Sequence, residues 1–271
     1  MSANYHNPVH SVYGAGALLS LPTLLEGRRA ALVTFPEARA LGLLDRLASV
    51  LGDALACTLD QTRPNPDVAE LAETYEWFWR THADVEVIVA VGGGSAIDTA
   101  KALMVADDHG RFADLVAGLA GERPFVATRH KTLIAVPTTA GTGSEVTPWA
   151  TIWDRERQKK YSLHLPQTWP TYAVIDPELM LSLPAAVTLQ SGLDALSHAL
   201  EAIWNVNANP LSDTFAVAAV QDMLEVLPQL MARLDDVDLR GRMALAALKA
   251  GMAFSNTKTA LAHSISYEMT L

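Results

Sequence analysis

Residues 87–101, Val87-Ile-Val-Ala-Val-Gly-Gly-Gly-Ser-Ala-Ile-Asp-Thr-Ala-Lys101, constrain the fold more than any other stretch. An apolar run rich in β-branched residues meets three glycines and then a helical pattern, which reads as a buried strand turning tightly into a helix. Glycine has no Cβ, so the amides of Gly92, Gly93 and Gly94 can approach a ligand closely. The helix behind them presents its positive end, which makes a phosphate the natural guest. A strand-to-helix turn with no ligand is the simpler alternative, but three glycines in a row exceed what such a turn needs. Ser95 fits the N-cap, and Asp98, three residues on, stands at capping-box spacing.

The pattern around this turn is repetitive. Residues 29–35 read as a buried strand, 38–51 as an amphipathic helix and 56–59 as a strand. Arg63-Pro-Asn-Pro66 is loop chemistry, and 68–82 is a helix whose Trp77, Phe78 and Trp79 read as core. The helix after the glycines runs to about residue 106, and 132–136 is another buried strand. Such alternation implies a parallel sheet with helices on both faces. Ligands of such sheets bind beyond the carboxyl ends of the strands, where the three glycines fall.

The strand at 132–136 ends in Pro137-Thr-Thr-Ala-Gly-Thr-Gly-Ser-Glu145. Thr138, Thr139, Thr142, Gly143 and Ser144 can form a polar loop with hydroxyl turns or a second phosphate or ribose contact. A strand at 149–153, a charged hairpin turn at 154–160 and a last strand at 172–175 follow. Earlier, Gly14-x-Gly16 lacks the third glycine of a dinucleotide fingerprint and has no clear strand before it. It reads as a turn into a short helix.

Composition narrows the function. With 271 residues, half of them hydrophobic and only 18% charged, the chain suits one large or two ordinary globular domains. The net charge of −10 and the lack of a Lys/Arg cluster argue against nucleic-acid binding. No apolar run reads as a membrane span, and residues 1–6 lack the regions of a signal peptide, so a cytoplasmic location is the default. The single cysteine, Cys57, excludes an internal disulfide and a multi-thiolate metal site. Any metal must be held by His, Asp or Glu.

From residue 185 the pattern is helical. Ser191-Gly-Leu-Asp-Ala-Leu-Ser-His-Ala-Leu-Glu201 places Asp194 and His198 at i and i+4 on one helical face. A carboxylate and an imidazole so spaced can share a metal ion or simply bond to each other. His263 lies in the helical stretch 259–269 and gains interest as a third ligand only through that pair. The chain stops at Leu271 inside a helical pattern with no closing signal, and is expected to be C-terminally truncated.

Four motifs in order, Gly92-Gly-Gly-Ser-Ala-Ile-Asp-Thr-Ala-Lys101, Pro137-Thr-Thr-Ala-Gly-Thr-Gly-Ser-Glu145, Asp176-Pro-Glu-Leu179 and Gly192-Leu-Asp-Ala-Leu-Ser-His198, together resemble the iron-containing (group III) alcohol dehydrogenases. The resemblance covers essentially the whole chain. It implies a dehydroquinate synthase-like architecture. An α/β dinucleotide-binding domain with a parallel Rossmann-like sheet (1–182) precedes an all-α metal-binding, catalytic domain, here incomplete (183–271). It also implies an NAD(P)H-linked enzyme interconverting small alcohols and aldehydes, compatible with a homodimer. By the same resemblance Gly92, Gly93, Gly94 and Ser95 bind the pyrophosphate, and Thr138, Thr139 and Thr142 contact the cofactor. Asn65, Asp98 and Lys160 align with cofactor-side positions. The family metal is Fe²⁺, sometimes Zn²⁺, held by one Asp and three His. Asp194, His198 and His263 match three of these, and the fourth would lie beyond Leu271.

Tyr267 stands where many members carry a second His near the nicotinamide, and would relay or position a proton or simply pack. The stretch 262–269 most resembles the phosphonoacetaldehyde reductase branch, which makes 2-hydroxyethylphosphonate. NAD-preferring relatives often carry an Asp at the end of the early strand to repel a 2′-phosphate. Here that strand ends Val33-Thr-Phe35-Pro36, so NADPH is expected to be tolerated. Two alternatives stand beside the dehydrogenase reading. One is a catalytically impaired nucleotide-binding fragment whose three ligands hold metal weakly; the other is a dehydroquinate synthase-like lyase.

Overall fold

The computed structural model describes residues 4–270, apart from the side chains of 267 and 268. The chain begins with β1 (His10–Tyr13), α1 (Leu21–Leu25), β2 (Ala30–Val33), α2 (Leu43–Leu51), β3 (Leu55–Leu59) and α3 (Val68–Thr81). Next come β4 (Val87–Gly92), α4 (Gly94–Leu103), β5 (Val105–Ala106), α5 (Phe112–Leu119), β6 (Arg129–His130) and β7 (Thr132–Pro137). A hairpin of β8 (Trp149–Asp154) and β9 (Lys159–His164) precedes β10 (Tyr172–Ile175). Four helices close the chain: α6 (Ala185–Trp204), α7 (Pro210–Ala232), α8 (Val237–Thr257) and α9 (Leu261–Thr270). An α/β region followed by a helical one is the fold class expected from the sequence.

The six-stranded sheet has the order β1-β10-β7-β4-β2-β3, with β2 parallel to both β3 and β4. Every residue of β2 and β4 is buried. That explains their unbroken apolar sequences, since a parallel strand covered on both faces has no solvent side on which to alternate. By packing, the chain divides into two compact units. One comprises residues 18–136 and 148–172, the other residues 1–17, 137–147 and 173–271. The expected boundary at residue 182 is a single cut, whereas the chain passes between the units several times.

In the first unit, Asp67 caps α3 by accepting from Ala69 N, and Leu71, Tyr75, Phe78 and Trp79 form its buried face. Trp77 is half-buried against the same core. The β8–β9 hairpin is tied to α4, because Thr151 N donates to Asp98 Oδ2 at 2.9 Å and Lys101 Nζ donates to Trp149 O at 2.6 Å.

The second unit is built around α6, α7 and α8, whose contact surfaces are rich in alanine and glycine. A Cβ at Gly192 would lie 2.9 Å from Leu227 Cδ1, so glycine is what lets α6 approach α7 this closely. Asn209 opens α7 with a capping box to Ser212. Contrary to expectation, α7 is long and apolar enough to cross a membrane by length and composition, with mean hydropathy 1.2. A third of that apolar window (33%) is buried; Met223, Val226, Leu227 and Leu230 pack in the helical core, each worth roughly 1.5–3 kcal/mol when fully buried.

Some elements differ from the sequence reading. The turn at residues 14–16 leads into a short helix as read, but β1 forms before it, where no clear strand was expected; β1 exposes most of its residues and so shows no apolar run. Helix α2 starts at Leu43 rather than residue 38, because Gly42 has φ +69°, which a right-handed helix cannot carry. Helix α4 ends at Leu103, and residues 105–106 pair with β6 instead.

Candidate active site

Helix α6 carries Asp194 and His198 one turn apart, and α9 brings His263 to them. The ligand atoms these three residues offer all lie within 4.8 Å of one another. Asp194 Oδ1 is 3.5 Å from His263 Nε2, and its Oδ2 is 3.8 Å from His198 Nδ1. The His198 ring stacks on Phe254 and on His263, each with centroids 4.2 Å apart. His198 is 6% exposed, and its Nδ1 has no hydrogen-bond partner among the described residues.

The two imidazoles share Asp194 yet shift in opposite directions. Burial pushes His198 down to about 4, with His263 adding to the effect, and the carboxylates of Asp194 and Glu201 do not overcome it. His198 is therefore neutral near pH 7, with a lone pair on a buried nitrogen. Burial also acts to lower His263, but hydrogen bonds to Asp194 and Glu201 outweigh it and raise the ring above its usual value. Burial would raise Asp194; the hydrogen bond with His263 and the fields of both rings hold it below the usual carboxylate range.

Sequence reasoning missed Glu201. It lies on α6 one turn beyond His198, is 1% exposed, and places Oε2 2.7 Å from His263 Nδ1. The signal was present in the quoted motif: Asp194, His198 and Glu201 stand at i, i+4 and i+7, one continuous helical face.

The Thr loop belongs to the same unit. Thr138 is buried, whereas Thr139 and Thr142 are half-buried. The Thr142 hydroxyl accepts from Ser144 N at 3.3 Å, the hydroxyl-turn arrangement. The loop is wedged against two helices. A Cβ at Gly141 would meet Ser191 Cβ at 2.8 Å, and one at Gly143 would meet Gly251 Cα at 2.8 Å.

The glycine turn lies in the other unit. Gly93, not Ser95, occupies the N-cap of α4, and no side chain caps it. The capping box expected from Ser95 and Asp98 is absent because the helix starts at Gly94, which places both residues inside it. Ser95 Oγ instead accepts from Asn65 N at 3.1 Å, and Asp98 receives Thr151 N. Asn65 has φ +60°, a conformation asparagine adopts more readily than most residues. Gly92 has a packing role, since a Cβ there would lie 2.6 Å from Ala96 Cβ and 3.3 Å from the Phe35 ring. Lys160 is half-buried on β9 opposite Trp153. Asn65 and Ser95 are thus joined, as are Asp194, His198 and His263. The side chain of Tyr267 lies outside the described residues.

Comparison with known proteins agrees with both parts of the fold. Residues 8–177 match the family model for iron-containing alcohol dehydrogenase, and residues 188–271 match the C-terminal model of the same family. The chain is 36% identical to an NAD-dependent methanol dehydrogenase of Bacillus methanolicus, over 98% of this chain and 70% of that protein. It is 36% identical to a choline dehydrogenase of Bacillus subtilis (strain 168), over 88% of this chain and 59% of that protein. Among solved structures, a sulfoacetaldehyde reductase from Bifidobacterium kashiwanohense in complex with NAD+ superposes with TM-score 0.91 and 32% identity. That match covers 100% of this chain and 71% of the reductase. The chain thus spans between 59% and 71% of the length of these three relatives. Two family matches in chain order, over the α/β region and the helices that carry the Asp–His–His cluster, show that the chain belongs to the iron-containing alcohol dehydrogenase family.

Proposed function

We propose that this chain carries the metal-dependent, NAD(P)-linked site of an oxidoreductase that interconverts a primary alcohol and an aldehyde. Asp194, His198 and His263 would be metal ligands. The observation that carries this reading is the Nδ1 of His198: a buried nitrogen without a hydrogen-bond partner among the described residues, one helical turn from a carboxylate and stacked on a second imidazole. Leaving such a group unmet costs roughly 1–3 kcal/mol, which a bound cation would remove. An ionised carboxylate with two imidazoles is an oxygen–nitrogen donor set that suits Fe²⁺ and also Zn²⁺.

Bound there, such an ion would act as a Lewis acid that polarises the substrate oxygen. The nicotinamide cofactor would supply or receive the hydride. The chain's own residues would do the positioning. Phe254 stacks on the His198 ring and limits water beside it. The N-terminus of α4, with Gly92, Gly93, Gly94 and Ser95, would receive the pyrophosphate through its backbone amides and the helix dipole. Asn65 supports that turn through Ser95. Thr138, Thr139 and Thr142 would contact the cofactor, as would Lys160. Asp98 would act by holding the β8–β9 hairpin through Thr151. Tyr267 would position a proton.

Cofactor choice follows from the end of β2. Thr34, Phe35 and Pro36 follow it with no carboxylate to repel a 2′-phosphate, so NADPH would be accepted as well as NADH. Phosphonoacetaldehyde is the proposed substrate, supported by the stretch 262–269 and by the similarity to a sulfoacetaldehyde reductase, whose name denotes an aldehyde with an anionic group.

The test is aldehyde-dependent oxidation of NADH and of NADPH by the metal-loaded chain, comparing phosphonoacetaldehyde with acetaldehyde. Turnover that Asp194→Ala abolishes while cofactor binding survives is the expected result. Cofactor binding without metal or turnover would favour the impaired-fragment reading, and binding of NADH alone would overturn the cofactor argument.

A further inference from the structure

At its N-terminus, helix α9 has no side-chain cap of its own among the described residues. The first intrahelical acceptor is Ala260 O, which receives Ser264 N at 3.2 Å, so Ala260 occupies the N-cap position. Alanine has no side-chain oxygen and is among the poor N-cap residues. The missing acceptor comes from another helix. Glu201 of α6 receives Ala260 N at 2.7 Å, Ala262 N at 2.6 Å and His263 N at 3.2 Å. The same carboxylate lies 2.7 Å from His263 Nδ1. Asn205 and Asn207, just beyond α6, hold the linker before α9. Asn205 Nδ2 donates to Lys258 O and Thr259 O, and Asn207 Nδ2 donates to Thr257 O.

A carboxylate placed this way does two things at once. As a cap in trans it fixes where α9 begins, and hence where His263 sits. As the Nδ1 partner it keeps the proton on that nitrogen and turns Nε2 towards Asp194, 3.5 Å away. Outer carboxylates commonly orient metal-binding imidazoles in this manner. We infer that Glu201 is the positioning residue of this site, seating the start of α9 and setting the tautomer of His263 so that its Nε2 faces the Asp194–His198 pair. The inference deepens the metal-site reading and rests on it for the purpose of the device, though not for its geometry.

The test uses the full chain with Zn²⁺ as the probe. Glu201→Gln is isosteric but replaces one accepting oxygen with a donor. In the metal-free variant, amide exchange at 260, 262 and 263 should rise by about tenfold or more, while amides within α7 keep their rates. Nitrogen NMR of His263 near pH 9 should show the neutral ring protonated at Nδ1 in the parent chain and shifted towards Nε2 in the variant. Zn²⁺ affinity should fall by about 10–100-fold. Adding Ala260→Asp gives α9 a cap of its own. The double variant should recover amide protection but not the tautomer or the affinity, and it keeps the test usable if Glu201→Gln alone destabilises the helix. Parental exchange and tautomer in Glu201→Gln would overturn the inference. So would lost protection with an unchanged tautomer and affinity, which is the signature of a merely structural cap. A parent chain that takes up no Zn²⁺, beside a Glu201→Gln variant that shows the expected exchange and tautomer changes, would sink the metal reading and leave the positioning role standing.

Discussion

Replacing Gly143 with alanine probes how the Thr loop is joined to the helices beside the Asp–His–His cluster. Gly143 has φ +61°, a left-handed conformation that costs an L-residue about 1–2 kcal/mol. The added Cβ would lie 2.8 Å from Gly251 Cα and 2.9 Å from the Phe254 ring. Overpacking of this kind costs typically about 1–3 kcal/mol. Together the two effects predict a loss of about 2–5 kcal/mol, a large share of the roughly 5–15 kcal/mol that holds a typical domain folded. With a urea slope on the order of 1–3 kcal/mol per molar, the unfolding midpoint should fall by about 0.7 M or more. The ring that must yield is the one stacked on His198 at 4.2 Å, so metal affinity should fall as well. Phe254→Leu should not rescue the variant, because the Gly251 backbone clash remains. A parental midpoint in Gly143→Ala would refute the close-approach argument.

The two imidazoles should separate in a residue-resolved NMR titration. His198 should stay neutral from pH 7 down to about 4. Its lowered value means that the unfolded chain takes up the proton first, so this group costs nothing above about 6.5 and removes stability as pH falls towards about 4. His263 is raised, so its contribution is present below about 6.5 and is lost as pH rises through its folded value. Because a metal must displace that proton, Zn²⁺ affinity measured by chelator competition should increase as pH rises through the raised folded value of His263; a flat profile would exclude His263 as a ligand. Away from the site, Lys131 donates to the carbonyls of Val85 at 2.6 Å, Ala83 at 3.1 Å and His82 at 3.3 Å just beyond α3. Lys131→Met keeps the apolar stem and loses these donors. Thermal unfolding should report a loss of roughly 1.5–3 kcal/mol, and no loss would contradict the capping role.

Much of this structure was legible in the sequence where one physical cause dominates. The buried strands β2, β4 and β7 read directly, because a parallel strand covered on both faces must be continuously apolar. Asp194 and His198 read directly because helical periodicity alone puts them together. Features that depend on tertiary packing did not read. The exposed strand β1 has no pattern of its own and exists through its place in the sheet. Ser95 and Asp98 carry the spacing of a capping box, yet the helix begins one residue before Ser95, and each hydrogen-bonds to a different segment. Glu201 was visible at i+7 but had no assigned task, because its partners arrive some sixty residues later from α9.

The proposed chemistry depends on Asp194, His198 and His263 forming a metal site. Titration of the metal-free chain with Zn²⁺, with Asp194→Ala alongside, tests it most directly. The parent chain should show a single saturable site, weakened at least about tenfold by the substitution, while the fold is retained. Equal uptake by both chains, or none by the parent, would contradict it.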